Sequence, residues 1–97
     1  MHIIAKHPYY KVTREVSSVE QKDVEEERYL SLYEEKISSQ FRDFPIKDVF
    51  DISYRMISKG IGFLYLHTSK GVYSYKIKTP PDPFIEAFQK HIQKSSF

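Results

Sequence analysis

Hydrophobic and polar positions alternate along the second half of the chain with the period of β-strands. In residues 72–78, Tyr73, Tyr75 and Ile77 alternate with Ser74, Lys76 and Lys78. Residues 49–57 and 61–68 alternate in the same way, which is typical of a sheet with one buried face. Glycine ends each short turn between these runs and supplies the positive φ that a tight turn needs. The pattern predicts three consecutive antiparallel strands, with Phe50, Ile52, Tyr54 and Met56 facing the core from the first.

Near the C-terminus, apolar residues recur at every third or fourth position instead of every second. This spacing predicts a helix over residues 82–94. Phe84, Ile85, Phe88 and Ile92 fall on one face. Asp82 has the side chain of an N-cap, and proline follows it at a position where its missing N–H costs nothing. A single amphipathic helix is marginal in water, so we expect this one to pack on the strands.

The N-terminal half has two interpretations. Residues 2–5 and 9–16 have the composition of strands interrupted by His7-Pro8. Residues 17–40 contain a capping-box pattern and good helix formers, which favour a central helix at 18–39 in an α+β fold. The alternation in residues 29–33 instead favours two further strands joined at Glu34-Glu35.

The order of these segments resembles the pleckstrin-homology-like (PH-like) barrel, in particular its short bacterial versions. The resemblance rests on the runs RYLSLY, KISSQFR, GFLYLHTSKGVYSYKIK and DPFIEAFQKHI. It implies a mainly β fold of about seven antiparallel strands in two near-orthogonal sheets, closed by helix 82–94. It also implies strands on both sides of Glu34-Glu35 and a loop over the acidic stretch Glu20–Glu27.

Composition limits the chain to one small domain spanning residues 1–97. It has 97 residues, of which 40% are hydrophobic and 29% charged, and this balance is typical of a globular protein. With no cysteine, it has no disulfides and no thiolate sites. The N-terminus lacks the pattern of a signal peptide, and no apolar run is long enough to span a membrane, so we expect a cytoplasmic protein.

The charge is unevenly distributed but does not indicate a nucleic-acid partner. Residues 1–35 carry a net charge of −3 and residues 36–97 carry +5. Nucleic-acid-binding domains concentrate basic residues in a stripe, which is missing here. The four histidines lack the spacing of metal ligands, and no serine, glycine or carboxylate motif indicates catalysis. We therefore predict no catalytic residues, no metal site and no cofactor.

Two groups of residues are candidates for binding. The first is basic: Lys70, Lys76 and Lys78 on the last hairpin, with Lys59 and Arg55 expected near by. By resemblance to PH domains that bind anionic headgroups, Lys6, Lys11 and Arg14 join this group. The second is aromatic and consists of Phe63, Tyr65, Tyr29 and Tyr33, which cannot all lie in the core if the alternation holds. Exposed aromatic residues are typical of protein interfaces.

These features favour a non-enzymatic interaction module that binds a protein partner or itself. The alternative is a peripheral binder of anionic ligands or membrane headgroups through the basic residues. A small enzyme with a concave pocket is a third hypothesis.

Overall fold

The computed structural model describes residues 2–16 and 21–95, and the side-chain surroundings of residues 2–12 and 24–93. Among these residues the chain forms seven strands and one α-helix. The strands are β1 (Ala5–Val16), β2 (Gln21–Leu32), β3 (Lys36–Ser38), β4 (Asp43–Pro45), β5 (Val49–Ser58), β6 (Ile61–Thr68) and β7 (Gly71–Ile77). A short 3-10 helix over Ile46–Asp48 precedes β5, and helix α1 (Asp82–Ser95) follows β7.

The described strands form one open antiparallel sheet in the order β4-β3-β2-β1-β7-β6-β5. Strands that follow each other in sequence pair as neighbours, with the exception of β4 and β5, which lie at the two edges. Among the described residues, β1 and β7 are joined by a single backbone pair, Tyr10 with Lys76. The sheet therefore has two halves, β1–β4 and β5–β7, that meet at one point.

The core lies on the inner face of this sheet because the alternation turns every second side chain towards it. Leu64 and Leu66 of β6 and Ile77 of β7 are fully buried, as are Leu30 and Leu32 of β2. Phe84 and Phe88 of α1 enter the same cluster from the helix. Burying an aromatic side chain of this kind stabilises the fold by roughly 1.5–3 kcal/mol.

Helix α1 confirms the C-terminal prediction and begins at the predicted residue, but Asp82 is not its N-cap. The amide of Ile85 donates to the carbonyl of Pro81 at 3.0 Å, so Pro81 rather than Asp82 stands where the N-cap belongs. Asp82 is the first residue of the helix. Its carboxylate interacts with the Tyr54 hydroxyl of β5 and raises the pKa of Tyr54.

Three expectations for the N-terminal half are wrong. Residues 21–27 are not a loop, because β2 begins at Gln21, and Glu20 lies outside the described residues. The described part of the range 18–39 contains strands and no helix, which removes the α+β alternative. Strand β1 also runs through His7-Pro8. Proline is tolerated there because β7 pairs with β1 only further along, at Tyr10.

The prediction that Phe50 faces the core is also wrong, since its side chain is 64% exposed. The pairing of β5 with β6 shifts register between Val49 and Asp51. Such an irregularity reverses the alternation locally, so that Val49 is buried and Phe50 points outwards.

Strands β1 and β2 form a hairpin that extends past the rest of the sheet. They pair continuously from Ala5 with Leu32 to Val16 with Gln21. We call residues 11–16 and 21–26 of this hairpin the arm. The molecule measures 59 × 27 × 25 Å, and a strand of twelve residues spans about 40 Å. The radius of gyration of 15.0 Å exceeds the roughly 12.5 Å typical of a compact domain of this length.

Gly62 of β6 offers a test of the packing between β5 and β6. A Cβ atom at this position would fall against Met56 Sδ and lie 2.9 Å from the carbonyl oxygen of Arg55. We expect Gly62→Ala to lower the free energy of unfolding by about 1–3 kcal/mol, because backbone must shift to accept the methyl group. Urea denaturation measures this, with the exposed Ser74→Ala as control. Equal stability of the two variants would contradict the packing described here.

His7 predicts a pH dependence of stability. Its side chain is buried, and this desolvation lowers the pKa below its ordinary value of 6.5, although a hydrogen bond to the Thr79 carbonyl opposes the shift. The unfolded chain then binds more protons than the folded one, so the free energy of unfolding should fall as the pH drops below about 6.5. Thermal unfolding between pH 7.5 and 5 measures it. His7→Gln should flatten the profile and His2→Gln should not; equal profiles for both variants would refute the assignment.

Candidate functional site

The outer face of β2, β1 and β7 holds a connected polar cluster, which we call the carboxylate cluster. It is built around Glu25 and Glu27 of β2, which the alternation places on the same side as Tyr10 and Tyr29. Both tyrosine hydroxyls donate to Glu27, from Tyr10 at 3.1 Å and from Tyr29 at 2.9 Å. Glu25 reaches across β1 to two lysines, one in β7 and one directly after it.

These lysines are Lys76 and Lys78 of the predicted basic hairpin. Lys76 Nζ lies 3.1 Å from Glu25 Oε2, and Lys78 Nζ contacts Glu25 Oε1. Lys78 also lies over the Tyr10 ring, 4.3 Å from its centroid. The hydrogen bonds from Lys78 and Lys76 lower the pKa of the Glu25 carboxyl, and the bond with Glu25 raises the pKa of Lys78. Glu25 thus partly neutralises the positive charges of Lys76 and Lys78, which the sequence predicted to form part of an anion site.

The other predicted basic residues of the second half are not gathered around this pair. Lys70 lies in the turn after β6, and Lys59 lies in the turn before it. A strand of this length separates the two turns by roughly 25 Å. Arg55 is exposed and stands opposite Phe63 in the pairing of β5 with β6.

The basic residues of β1 also lie apart. Lys6 is 4.9 Å from the centre of the Tyr29 ring, and Lys11 is 5.5 Å from that of Phe41. Arg14 belongs to β1, but its side chain lies outside the described surroundings. No single pocket collects the predicted cations among the described residues.

The predicted interface aromatics are distributed in a similar way. Phe63 and Tyr65 are half-buried on the outer face of β6. Tyr29 is 43% exposed and belongs to the carboxylate cluster on β2, which β1 and β7 separate from β6. Tyr33 is half-buried after β2, beside Lys36. The four residues do not form one patch.

Phe41, which the sequence analysis did not single out, is 77% exposed and marks one wall of a cleft. The guanidinium of Arg28 lies 5.2 Å from the ring centre, close to the contact with Lys11. The cleft has a volume of about 380 Å³ and lies between β1 and β7, where Lys11 and Val12 face Ser74 and Tyr75. The contacts of Lys11 and Arg28 with the exposed Phe41 ring are cation–π interactions, and each stabilises the position of the ring only modestly.

A second cleft of about 250 Å³ lies between β4 and the β6–β7 turn. Arg42, Asp48, Ser69 and Lys70 line it, together with Tyr73. The Arg42 guanidinium lies 4.8 Å from the centre of the Tyr73 ring. Charges of both signs line this cleft, so it has no marked preference for an anion.

A hydrogen bond between Ser53 and His67 is the described contact closest to catalytic chemistry. Ser53 Oγ lies 2.7 Å from His67 Nε2, and the strand register places Asp51 opposite His67. The sequence could not reveal this contact because it depends on the register of β5 and β6. Nucleophilic catalysis also needs donors for the developing oxyanion. The pair lies on the outer face of the sheet, away from both clefts, and nothing described there supplies such donors.

Within the described residues, no group of three or more His, Asp or Glu side chains is arranged to hold a metal ion. No helix in that same part of the chain combines the length and the hydropathy needed to cross a membrane.

The described residues define a mainly β domain with seven antiparallel strands in one open sheet and one C-terminal helix. No family model matches the chain, and no curated protein or solved structure matches it either. The resemblance to the PH-like family therefore stays a prediction.

The contact with Glu25 predicts a change in the pKa of Lys78 when the carboxylate is removed. Replacement by Gln removes the negative charge, so the pKa of Lys78 should fall towards its ordinary value of 10.5. An NMR titration of the lysine side chains measures this. Glu26→Gln is the matched control, because Glu26 contacts Arg28 rather than β7. If the two variants leave the pKa of Lys78 at the same value, Glu25 does not bind Lys78 in solution.

Proposed function

We propose that this chain is a non-enzymatic interaction module with a PH-like barrel that binds polypeptide through the arm. One observation carries the proposal: β1 and β2 pair with each other over their full length, but their other neighbours cover only a small part of each. Strand β7 meets β1 at Tyr10, and β3 meets β2 at Ser31 and Leu32. Within the described strands, long stretches of backbone at both edges are therefore left without a partner strand.

Unpaired strand edges are binding sites for other strands. Each edge presents N–H and C=O groups that an added strand satisfies with main-chain hydrogen bonds. Soluble proteins usually shorten, cover or charge such edges. Here β1 and β2 are the longest strands of the sheet, at twelve residues each. We infer that the arm is kept open for a partner.

The PH-like part of the proposal is supported by strand order and by the helix. The consecutive strands β4 and β5 lie at opposite edges of the sheet, which is the order expected of an up-and-down barrel that is open between them. Helix α1 contributes Phe84 and Phe88 to the core, as expected of a helix that closes such a barrel. A filled interior of this kind leaves the outer surface and the arm for recognition.

Peripheral binding of anionic ligands remains the alternative, but the geometry supports it less. Lys76 and Lys78 share Glu25, and the remaining basic residues are dispersed. Co-sedimentation with anionic vesicles at low and high salt separates the two proposals, because binding through exposed charges weakens steeply as salt is added.

Shortening the arm tests the proposed function. Residues 13–24 are replaced by Asn-Gly, which suits a two-residue turn between Val12 and Glu25. None of the core residues named above lies in the removed segment, so the domain should still fold. We expect polypeptides captured by the full chain to be lost with the shortened variant, and purified partner to bind the full chain at least tenfold more tightly.

The control is Phe63→Ser with Tyr65→Ser, which alters the outer face of β6 and leaves the arm intact. This variant should retain the captured polypeptides. Capture that depends on Phe63 and Tyr65 but not on the arm would contradict the proposal and place recognition on β6.

A further inference from the structure

We propose that the polypeptide bound by the arm is a second copy of this chain, paired antiparallel through residues 11–15 of β1 about a two-fold axis at Thr13. This inference rests on the proposed function and names its partner. It follows from which arm edge is open, from the charges along that edge and from the symmetry of a dimer.

The open edge of β1 begins immediately after Tyr10. Strand β7 is antiparallel to β1 and would continue beside residues 11–15 if the pairing of Tyr10 with Lys76 were extended. Among the described residues it does not, and the cleft of about 380 Å³ lies where the two strands separate. A second copy of β1 would run in the same direction as β7 and occupy the position in the sheet that β7 leaves.

The sequence of this edge, KVTRE, is self-complementary in antiparallel pairing. A two-fold axis through the Thr13 pair sets Lys11 opposite Glu15 of the second copy, and Glu15 opposite its Lys11. Opposite charges and Thr–Thr pairs directly across an antiparallel ladder are favourable. An isologous contact repeats each interaction twice, so one suitable pair of charges is used at both ends.

Other registers of the same edge lose this match. An axis at Arg14 sets two arginines against each other, and an axis at Glu15 does the same with two glutamates. An axis at Val12 needs Tyr10, which already pairs with Lys76. Thr13 is the one centre of these four that pairs unlike charges at both ends of the edge.

The open edge of β2 is unsuitable for the same interaction. It presents Asp23 and the run Glu25–Glu27, and antiparallel self-pairing about Val24, Glu25 or Glu26 sets carboxylates against carboxylates. Like charges opposite each other are destabilising, and charged edges of this kind prevent unwanted strand pairing. The arm therefore has one protected edge and one self-complementary edge.

Charge reversal tests the register. Lys11→Glu and Glu15→Lys each set like charges opposite one another twice in a homodimer, so each variant should dimerise roughly tenfold or more weakly than the unaltered chain. An equimolar mixture restores both unlike pairs and should regain the affinity of the unaltered chain. Sedimentation velocity from micromolar to millimolar protein measures the three samples, with the exposed Lys90→Glu of α1 as charge-matched control.

A second measurement uses the unaltered chain. Amide hydrogen exchange at residues 11–15 should slow as the protein concentration rises, while exchange at residues 72–75 should not change. This result would support the inference even if a charge variant failed to fold, which thermal unfolding of each variant reports. Failure of the mixture to dimerise when both variants are folded overturns the register.

A chain that stays monomeric at millimolar concentration, without concentration-dependent protection, overturns the second copy as partner. If the shortened-arm experiment then still shows capture of a different polypeptide, the proposed function stands and only the partner is wrong. If capture by the arm fails as well, both proposals fall. Dimerisation that survives removal of residues 13–24 also overturns the inference, because the contact would then lie elsewhere.

Discussion

The two halves of the sheet are joined by one backbone pair, Tyr10 with Lys76, and much of the structure depends on that narrow connection. Because the ladder contributes so little there, side chains must hold the halves together. Tyr9 of β1 packs edge-on against Tyr75 of β7 with ring centroids 4.9 Å apart, and α1 adds Phe88 to the core between the halves. The same narrow connection lets β1 leave β7 and form the arm.

The place of each charged residue in the sheet matters more in this protein than the number of charged residues. Glu25 and Glu27 belong to an acidic stretch that the sequence predicted to be a loop. In the sheet they instead contact lysine and tyrosine side chains, most of them from neighbouring strands. The pairing shields the charges of Lys76 and Lys78, whereas the acidic edge of β2 discourages strand addition on that side. One short run of glutamates therefore affects both candidate binding surfaces, the basic residues beside Glu25 and the open edges of the arm.

Prediction succeeded where the sequence shows a clear apolar period and failed where it shows none. Strands β5 to β7 and helix α1 each bury apolar residues in the core. The period of two residues in the strands and of 3.6 residues in the helix is therefore visible in the sequence. The sequence of the first half of β2 carries no apolar alternation and is rich in glutamate, a residue depleted in strands. It is a strand because β1 pairs with it residue by residue, with Lys11 opposite Glu26. The exposure of Phe50 escaped prediction because a register shift cannot be read from one strand alone.

The sequence by itself determined the mainly β class, the C-terminal helix and the inner face of the last three strands, because these follow from local periodicity and from turn residues near in sequence. Only the tertiary structure decided that β1 separates from β7 after one pair and that Glu25 meets Lys76, a residue 51 positions away. It also decided that Ser53 meets His67. Such contacts depend on strand order and register, which are set when distant segments bury their apolar faces together.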